Sequence, residues 1–241
     1  MPVAAPTSRT RSAIRVLEHD PELGEGLDGE RRRIALERLQ ALVIGVSRGG
    51  WGTPNWPEAV RRGPGLLVLD GYVVRQVEIG GRVSAELLGA GDLLRPWQRE
   101  DAMASVPRRP TWRALERSRL AVLDVEFGRR AAPFPEVHAA LIGRALRRSR
   151  QLVVSLAIAH QPRVEARVQM TLWQLADRFG TVRQDGVLLP LRLTHTLLAD
   201  LVAARRPTVS AAVSALERAG FLSREAGGTW LLHGRPPEHL S

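Results

Sequence analysis

The sequence predicts an α+β chain: a small jelly-roll barrel, one long helix, and a C-terminal winged helix-turn-helix. Three observations carry this. Short apolar runs broken by glycine turns fill residues 66–127. An apolar line at spacings of three and four runs through residues 139–160. Two short amphipathic segments flank a corner in 193–222, and a strand–turn–strand pattern follows them.

The third observation is the sharpest. Thr194 stands where an N-cap is needed, ahead of Leu197, Leu198, Leu201 and Val202 at helical spacing. After the corner Ala204-Arg205-Arg206-Pro207, the residues Val209, Ala212, Val213 and Leu216 repeat at i, i+3, i+4 and i+7. Pro207 suits a first helical turn, where a missing N–H costs nothing. The opposite face carries Arg206, Pro207, Ser210, Ala211 and Ser214, short side chains except for the arginine. Such a face can approach base edges closely while arginines hold phosphates. Phe221-Leu222-Ser223-Arg224 and Thr229-Trp230-Leu231-Leu232, joined through Gly227-Gly228, supply a two-stranded wing. Small residues on one face also suit plain helix packing; the wing directly after the second helix favours a DNA reader.

Upstream, residues 1–13 are expected to form a mobile tail without a secretion-signal core. Residues 14–44 read as mostly helical, with Ile34, Leu36, Leu39, Leu42 and Val43 on the apolar side, and 49–65 as a loop. Leu66–Leu69 gives a strand ending at Asp70-Gly71, and Tyr72–Val77 pairs with Val83–Leu88 across Gly80-Gly81. Gly89-Ala90-Gly91-Asp92 is a turn, and Leu120–Val125 a closing strand. The barrel domain is therefore placed at 14–134, the long helix at 135–160 and the winged helix at 161–241. In that helix Ala139, Ile142, Leu146, Ser149, Val153, Leu156 and His160 form a heptad-like seam that suits a second copy, the other reading being a single buried amphipathic helix without a partner. A second line, Leu141, Ala145 and Leu152, is expected to face the barrel. Gln161-Pro162 breaks the helix. Val164, Val168, Leu172, Leu175 and Phe179 mark the next one, with Gly180 as its C-cap, and Val187–Leu193 a strand.

Composition narrows the chemistry. The net charge is +10 and all 35 basic residues are arginine. The moderate surplus lies beyond residue 127, where 16 arginines face 8 acidic residues, as nucleic-acid contact suggests and as a solvated helix face could also produce. With no cysteine, the chain has no disulfide, thiolate zinc site or cysteine-ligated iron–sulfur cluster. No apolar run reaches the roughly 20 residues of a membrane span, so a cytoplasmic protein is expected. The six histidines are scattered without a metal spacing, and no nucleophile elbow, phosphate-cradling loop or paired-carboxylate signature occurs. Neither a metal site nor catalysis is expected.

This order of parts resembles the cyclic-AMP receptor protein/FNR superfamily of bacterial transcription regulators. The likeness is strongest over 164–234; in the barrel it rests on Leu69-Asp70-Gly71 and Gly89-Ala90-Gly91-Asp92. It implies a cyclic-nucleotide-binding-like double-stranded β-helix. It also implies a homodimer on a near-palindromic operator, half-sites about 34 Å apart, with RNA polymerase as a further partner. Arg206 falls on a base-reading arginine, whereas Pro207 and Ala211 replace a glutamate and a second arginine, so a different operator is expected. Arg205, Thr208 and Ser210 are candidate phosphate or auxiliary contacts, and Arg224 in the wing is either a DNA-backbone contact or a solvated strand residue.

The ligand side departs from the family. A glycine–glutamate pair and an arginine-serine-alanine run, which hold ribose and phosphate, are missing after Asp92. Cyclic AMP is therefore not expected at the usual site. Arg95, Trp97, Arg109, Trp112 and Arg113 are candidates for another small-molecule effector, while buried structural tryptophans are the plainer reading. No histidine lies in 45–127, which argues against haem sensing and against a cupin-like metalloenzyme. Two other readings stay open: a metabolite-binding barrel with a vestigial DNA module, and a DNA binder that needs no ligand.

Overall fold

The computed structural model describes residues 12–51, 56–98, 105–225 and 227–236. The chain divides into two compact units, one of residues 1–80 and 87–150, the other of 81–86 and 151–241. The tail expected over 1–13 lies outside the described residues as far as Arg11, and Ala13 already opens the first strand.

The first unit begins with β1 (Ala13–Arg15), α1 (Val16–His19), a 3-10 turn at Pro21–Gly24, and α2 (Gly29–Arg38). Next come β2 (Gln40–Val46), β3 (Gly49–Trp51), α3 (Glu58–Arg62), β4 (Gly65–Asp70), β5 (Val73–Ile79), β6 (Arg82–Leu88) and β7 (Leu93–Leu94). β8 (Arg109–Ala114), β9 (Ser118–Leu123) and α4 (Val125–Ala131) lead into α5 (Pro135–Ala159). One sheet has the order β1-β2-β9-β4-β7 and the other β3-β8-β5-β6.

Strands β4 and β9 are apolar on both faces, because each face meets a different core. Leu66, Val68, Leu120 and Val122 join the barrel interior. Leu67, Ala121 and Leu123 join a second core with α1, α2, α4 and the start of α5. Gly71, the strand-ending glycine of the sequence reading, has φ +81°. A Cβ there would lie 2.3 Å from Ser118 Oγ.

Two expectations for the N-terminal segment need correction. Of the stretch 14–44 expected to be mostly helical, Ile14 and Arg15 lie in β1, the last helix α2 ends at Arg38, and Leu42 and Val43 lie in β2. There Ala41 and Val43 are buried while Leu42 is 45% exposed, the period-two alternation of a strand. Antiparallel pairing with β9, Leu42 against Val122, overrides the helical period. The loop expected over 49–65 contains β3 and α3, though 52–55 lie outside the described residues.

One face of α5 is packed through Val137, Leu141 and Arg144, which are 0%, 5% and 9% exposed. Ala145 is exposed and Leu152 is 42% exposed, so of the expected barrel-facing line only Leu141 is packed. Arg144 takes the buried place instead, because polar partners wait for it. It donates from Nη1 and Nη2 to Asp20 Oδ2 and Oδ1, both at 2.5 Å. Nη1 also donates to Gly91 O at 2.7 Å, and Nη2 to Glu22 Oε2 at 3.3 Å. The glycine–aspartate turn is shaped for this contact. Asp92 Oδ2 accepts from Gly89 N at 2.8 Å, and Gly91 has φ +85°. A Cβ on Gly91 would stand 2.6 Å from Arg144 Nη1.

The second unit contains α6 (Val164–Phe179), β10 (Thr181–Arg183), β11 (Gly186–Leu189), α7 (His195–Leu201), α8 (Arg206–Arg218), β12 (Leu222–Arg224) and β13 (Trp230–Leu232). Its sheet order is β10-β11-β13-β12. Gly180 is the C-cap of α6 with extended backbone, and a Cβ there would meet Ala176 O at 2.5 Å. The strand expected over 187–193 ends at Leu189, before Pro190, although Leu191 and Leu193 remain buried.

Arg144→Ala would leave the Asp20 carboxylate buried beside an unpaired space. The expected cost is about 3–5 kcal/mol of stability, read by urea denaturation. A loss below about 1 kcal/mol would show the pair to be solvated.

Candidate nucleic-acid interface

Helix α7 starts where the sequence requires it. Thr194 Oγ1 accepts from Leu197 N at 3.1 Å, and Leu197, Leu198 and Ala199 are buried. The corner runs from Val202 to Arg205, two residues earlier than the sequence placed it, and Arg206 and Pro207 already belong to α8. Ala203 carries the bend with φ +52°, a left-handed conformation unusual for alanine. Ala204 N donates to Ala199 O at 3.0 Å, and Arg167 Nη1 on α6 reaches Ala203 O at 3.4 Å. Nothing in an alanine announces this role; glycine would have.

Helix α8 buries Val209, Ala212, Val213 and Leu216, at 0%, 0%, 0% and 5% exposure. This stripe fixes the rotation of the helix. Arg205, Arg206, Pro207, Thr208, Ala211 and Ser214 are consequently exposed, and Ser210 is half-buried at the edge. Strands β12 and β13 pair antiparallel, with Arg224 opposite Trp230. Gly227 and Gly228 turn the wing with φ near +82° and +81°.

Arg224, expected as a DNA-backbone contact, is engaged within the domain. Its Nε donates to Glu217 Oε1 at 3.2 Å, and its guanidinium stands 4.5 Å from the Trp230 ring centre. Its Nη2 meets His195 Nε2. The other ring nitrogen of His195, Nδ1, lies 2.8 Å from Ser210 Oγ. Burial, Arg224 and Arg206 push the His195 pKa below its usual 6.5, while Glu217 opposes them. Spacing gave no hint of His195, which sits on the first turn of α7 and acts across three elements.

The long helix is exposed along the seam expected to meet a second copy. Ile142, Leu146, Val153 and Leu156 are 61%, 54%, 65% and 59% exposed, and Ala139 and Ser149 are exposed with them. The helix ends at Ala159, so His160 falls just beyond it.

The five effector candidates do not share one space. Strand alternation turns Trp112 and Ala114 inward, so Arg109 and Arg113 lie on the outer face of β8. Arg95 is exposed and donates to Arg61 O at 2.8 Å. Trp112 instead joins Trp51 and Trp56 in the barrel core, and the half-buried Trp97 packs against them. Ring centres are 6.2 Å apart for Trp51–Trp112, 6.4 Å for Trp51–Trp56 and 5.4 Å for Trp56–Trp97. The indole N–H groups of Trp51, Trp56 and Trp97 are buried without a hydrogen-bond partner. Among the described residues, no cluster of three metal-ligating side chains occurs, and no helix is long and apolar enough to cross a membrane.

Comparison with known proteins agrees with this geometry. Residues 166–235 match the family model of the Crp-like helix-turn-helix domain. A transcriptional regulator of the CRP family from Thermus thermophilus is 22% identical, over 79% of this chain and 91% of its own, with a TM-score of 0.56. FixK2 from Bradyrhizobium japonicum is 17% identical over 81% and 93%, at 0.60. The c-di-GMP-responsive global regulator CLP of Xanthomonas campestris is 18% identical over 81% and 95%, at 0.57. No curated protein matches the chain. Residues 166–235 thus resemble a Crp-like helix-turn-helix domain, and the chain shares the fold of these Crp/FNR-type structures, with a cyclic-nucleotide-binding-like β domain.

Thr194→Ala removes the α7 cap and is expected to cost about 1 kcal/mol, measured by chemical denaturation. An unchanged midpoint would mean that the Leu197 amide finds another acceptor.

Proposed function

We propose that the chain is a homodimeric, sequence-specific DNA-binding regulator of transcription, working in the cytoplasm and without catalytic activity. The supporting observation is the exposed face of α8, where Arg206 accompanies Pro207, Thr208, Ala211 and Ser214 opposite a fully buried stripe. Small side chains bring the helix close to the major-groove floor, and Arg206 is the group that can bind guanine O6 and N7 together. Arg205, Thr208 and Ser210 flank it as phosphate or auxiliary contacts. Pro207 and Ala211 provide no long polar side chain, so the operator differs from that of the cyclic-AMP receptor. RNA polymerase is the further partner that a regulator of this class requires.

Two reading heads need a symmetric pair. The apolar residues Ile142, Leu146, Val153 and Leu156, with Ala139 and Ser149, repeat at spacings of three and four along α5 and suit a helix from a second copy. Half-sites about one helical turn apart follow.

For the barrel, we infer that cyclic AMP is not the effector at the usual site. Asp92 is engaged with Gly89, and the expected arginines, Arg109 and Arg113, face outward. An effector, if one binds, meets the tryptophans rather than these arginines. The burial of Trp51, Trp56 and Trp112 in the interior, with Trp97 packed against them, favours a second reading, a DNA binder that needs no ligand. A calorimetric screen of nucleotides and small metabolites separates the two, since saturable heat supports the effector and its absence the ligand-free reading. The metabolite-binding alternative predicts saturable heat without duplex selection.

Arg206→Ala is expected to cost about 1–3 kcal/mol on the selected duplex and to relax one base position. Equal losses on selected and random duplex would make Arg206 a phosphate contact. Replacing Val153 and Leu156 together by aspartate is expected to give monomers by light scattering; a persistent dimer would place the interface elsewhere.

A further inference from the structure

His195 joins three elements of the reading head at one ring. It lies on the first turn of α7, and its two nitrogens meet Ser210 of α8 and Arg224 of β12. A guanidinium has only donors, so Nε2 facing Arg224 Nη2 must accept. The ring is then neutral with its proton on Nδ1. That N–H donates to Ser210 Oγ, 2.8 Å away. A hydroxyl that accepts from histidine keeps its own proton to give. Ser210 is thereby a donor toward base or phosphate acceptors beside Arg206.

We propose that His195 is a positioning residue of the DNA-reading surface: its neutral ring sets Ser210 as a donor and holds the wing through Arg224, and protonation of the ring uncouples the two. This inference rests on the reading of α8 as the DNA-recognition helix. The charges facing the ring are Arg206 and Glu217 from α8 and Arg224 from the wing. Two cations against one carboxylate oppose an imidazolium. A second proton on the ring also removes the acceptor from Arg224, whose remaining contacts are Glu217 and the face of Trp230.

The sign of the pH effect follows. With its ring pKa below 6.5 in the folded state, His195 destabilises the domain progressively as pH falls below 6.5, because the unfolded chain takes up the proton first. DNA phosphates attract every protonated group, so raw affinity mixes general charge with this local effect. The ratio of affinities for selected and random duplex cancels the general part.

The test uses the full-length protein and two measurements. Long-range proton–nitrogen NMR of the free protein near pH 8 is expected to show the His195 proton on Nδ1; a proton on Nε2 would overturn the proposal. The selected-to-random affinity ratio of the wild type is expected to hold from about pH 8 to about pH 6.5 and to fall progressively below it, several-fold by roughly pH 5. His195→Asn keeps a donor for Ser210 but cannot titrate, and its ratio is expected to stay level. A level wild-type ratio, or an equal fall in the variant, contradicts the role of His195. Absence of any selection at pH 8 refutes the DNA reading instead, and the tautomer still decides the local claim.

Discussion

Burial of Val209, Ala212, Val213 and Leu216 is the constraint on which the reading head depends. Burying four apolar side chains on one side of a 13-residue helix leaves no freedom of rotation, because any turn about the axis would expose them to water. The face left outside is then a consequence of packing. Arg206 at the first turn and the small side chains after it are displayed together for that reason. The left-handed bend at Ala203 aims the helix, and Arg167 stabilises the bend by binding its carbonyl.

A similar economy operates in the first unit. Arg144 is nearly inaccessible, and its charge is matched by Asp20, Glu22 and the carbonyl of Gly91. One side chain of the long helix thus grips the N-terminal segment and the glycine–aspartate turn together. A buried ion pair adds little net stability over an apolar substitute, yet it tolerates no mismatch of position. It therefore specifies how the first part of α5, up to residue 150, lies against its own unit. The turn whose glycines resemble a nucleotide-binding element serves here as a seat for a helix.

The parts legible in the sequence were those governed by short-range rules. The period of α8, the cap at Thr194 and the paired glycines of the wing are local signals, and the structure places each where it was read. Contacts remote in sequence were not legible. Asp20 and Arg144 are 124 residues apart, and nothing in either neighbourhood anticipates the other. Leu42 and Val43 fit a helical spacing as well as a strand, and only pairing with β9 decides between them. Arg109 and Arg113 are effector candidates by residue type, but the parity of β8 relative to Trp112 sends them outward. His195 escaped notice because its meaning lies in what α8 and the wing bring to it.

Guanine N7 lines the major groove and adenine N3 the minor, so methylation protection on a selected duplex tests the central claim most directly. Paired recognition helices require two clusters of protected guanine N7 about 34 Å apart. Protection confined to adenine N3, or to one cluster alone, would contradict that arrangement.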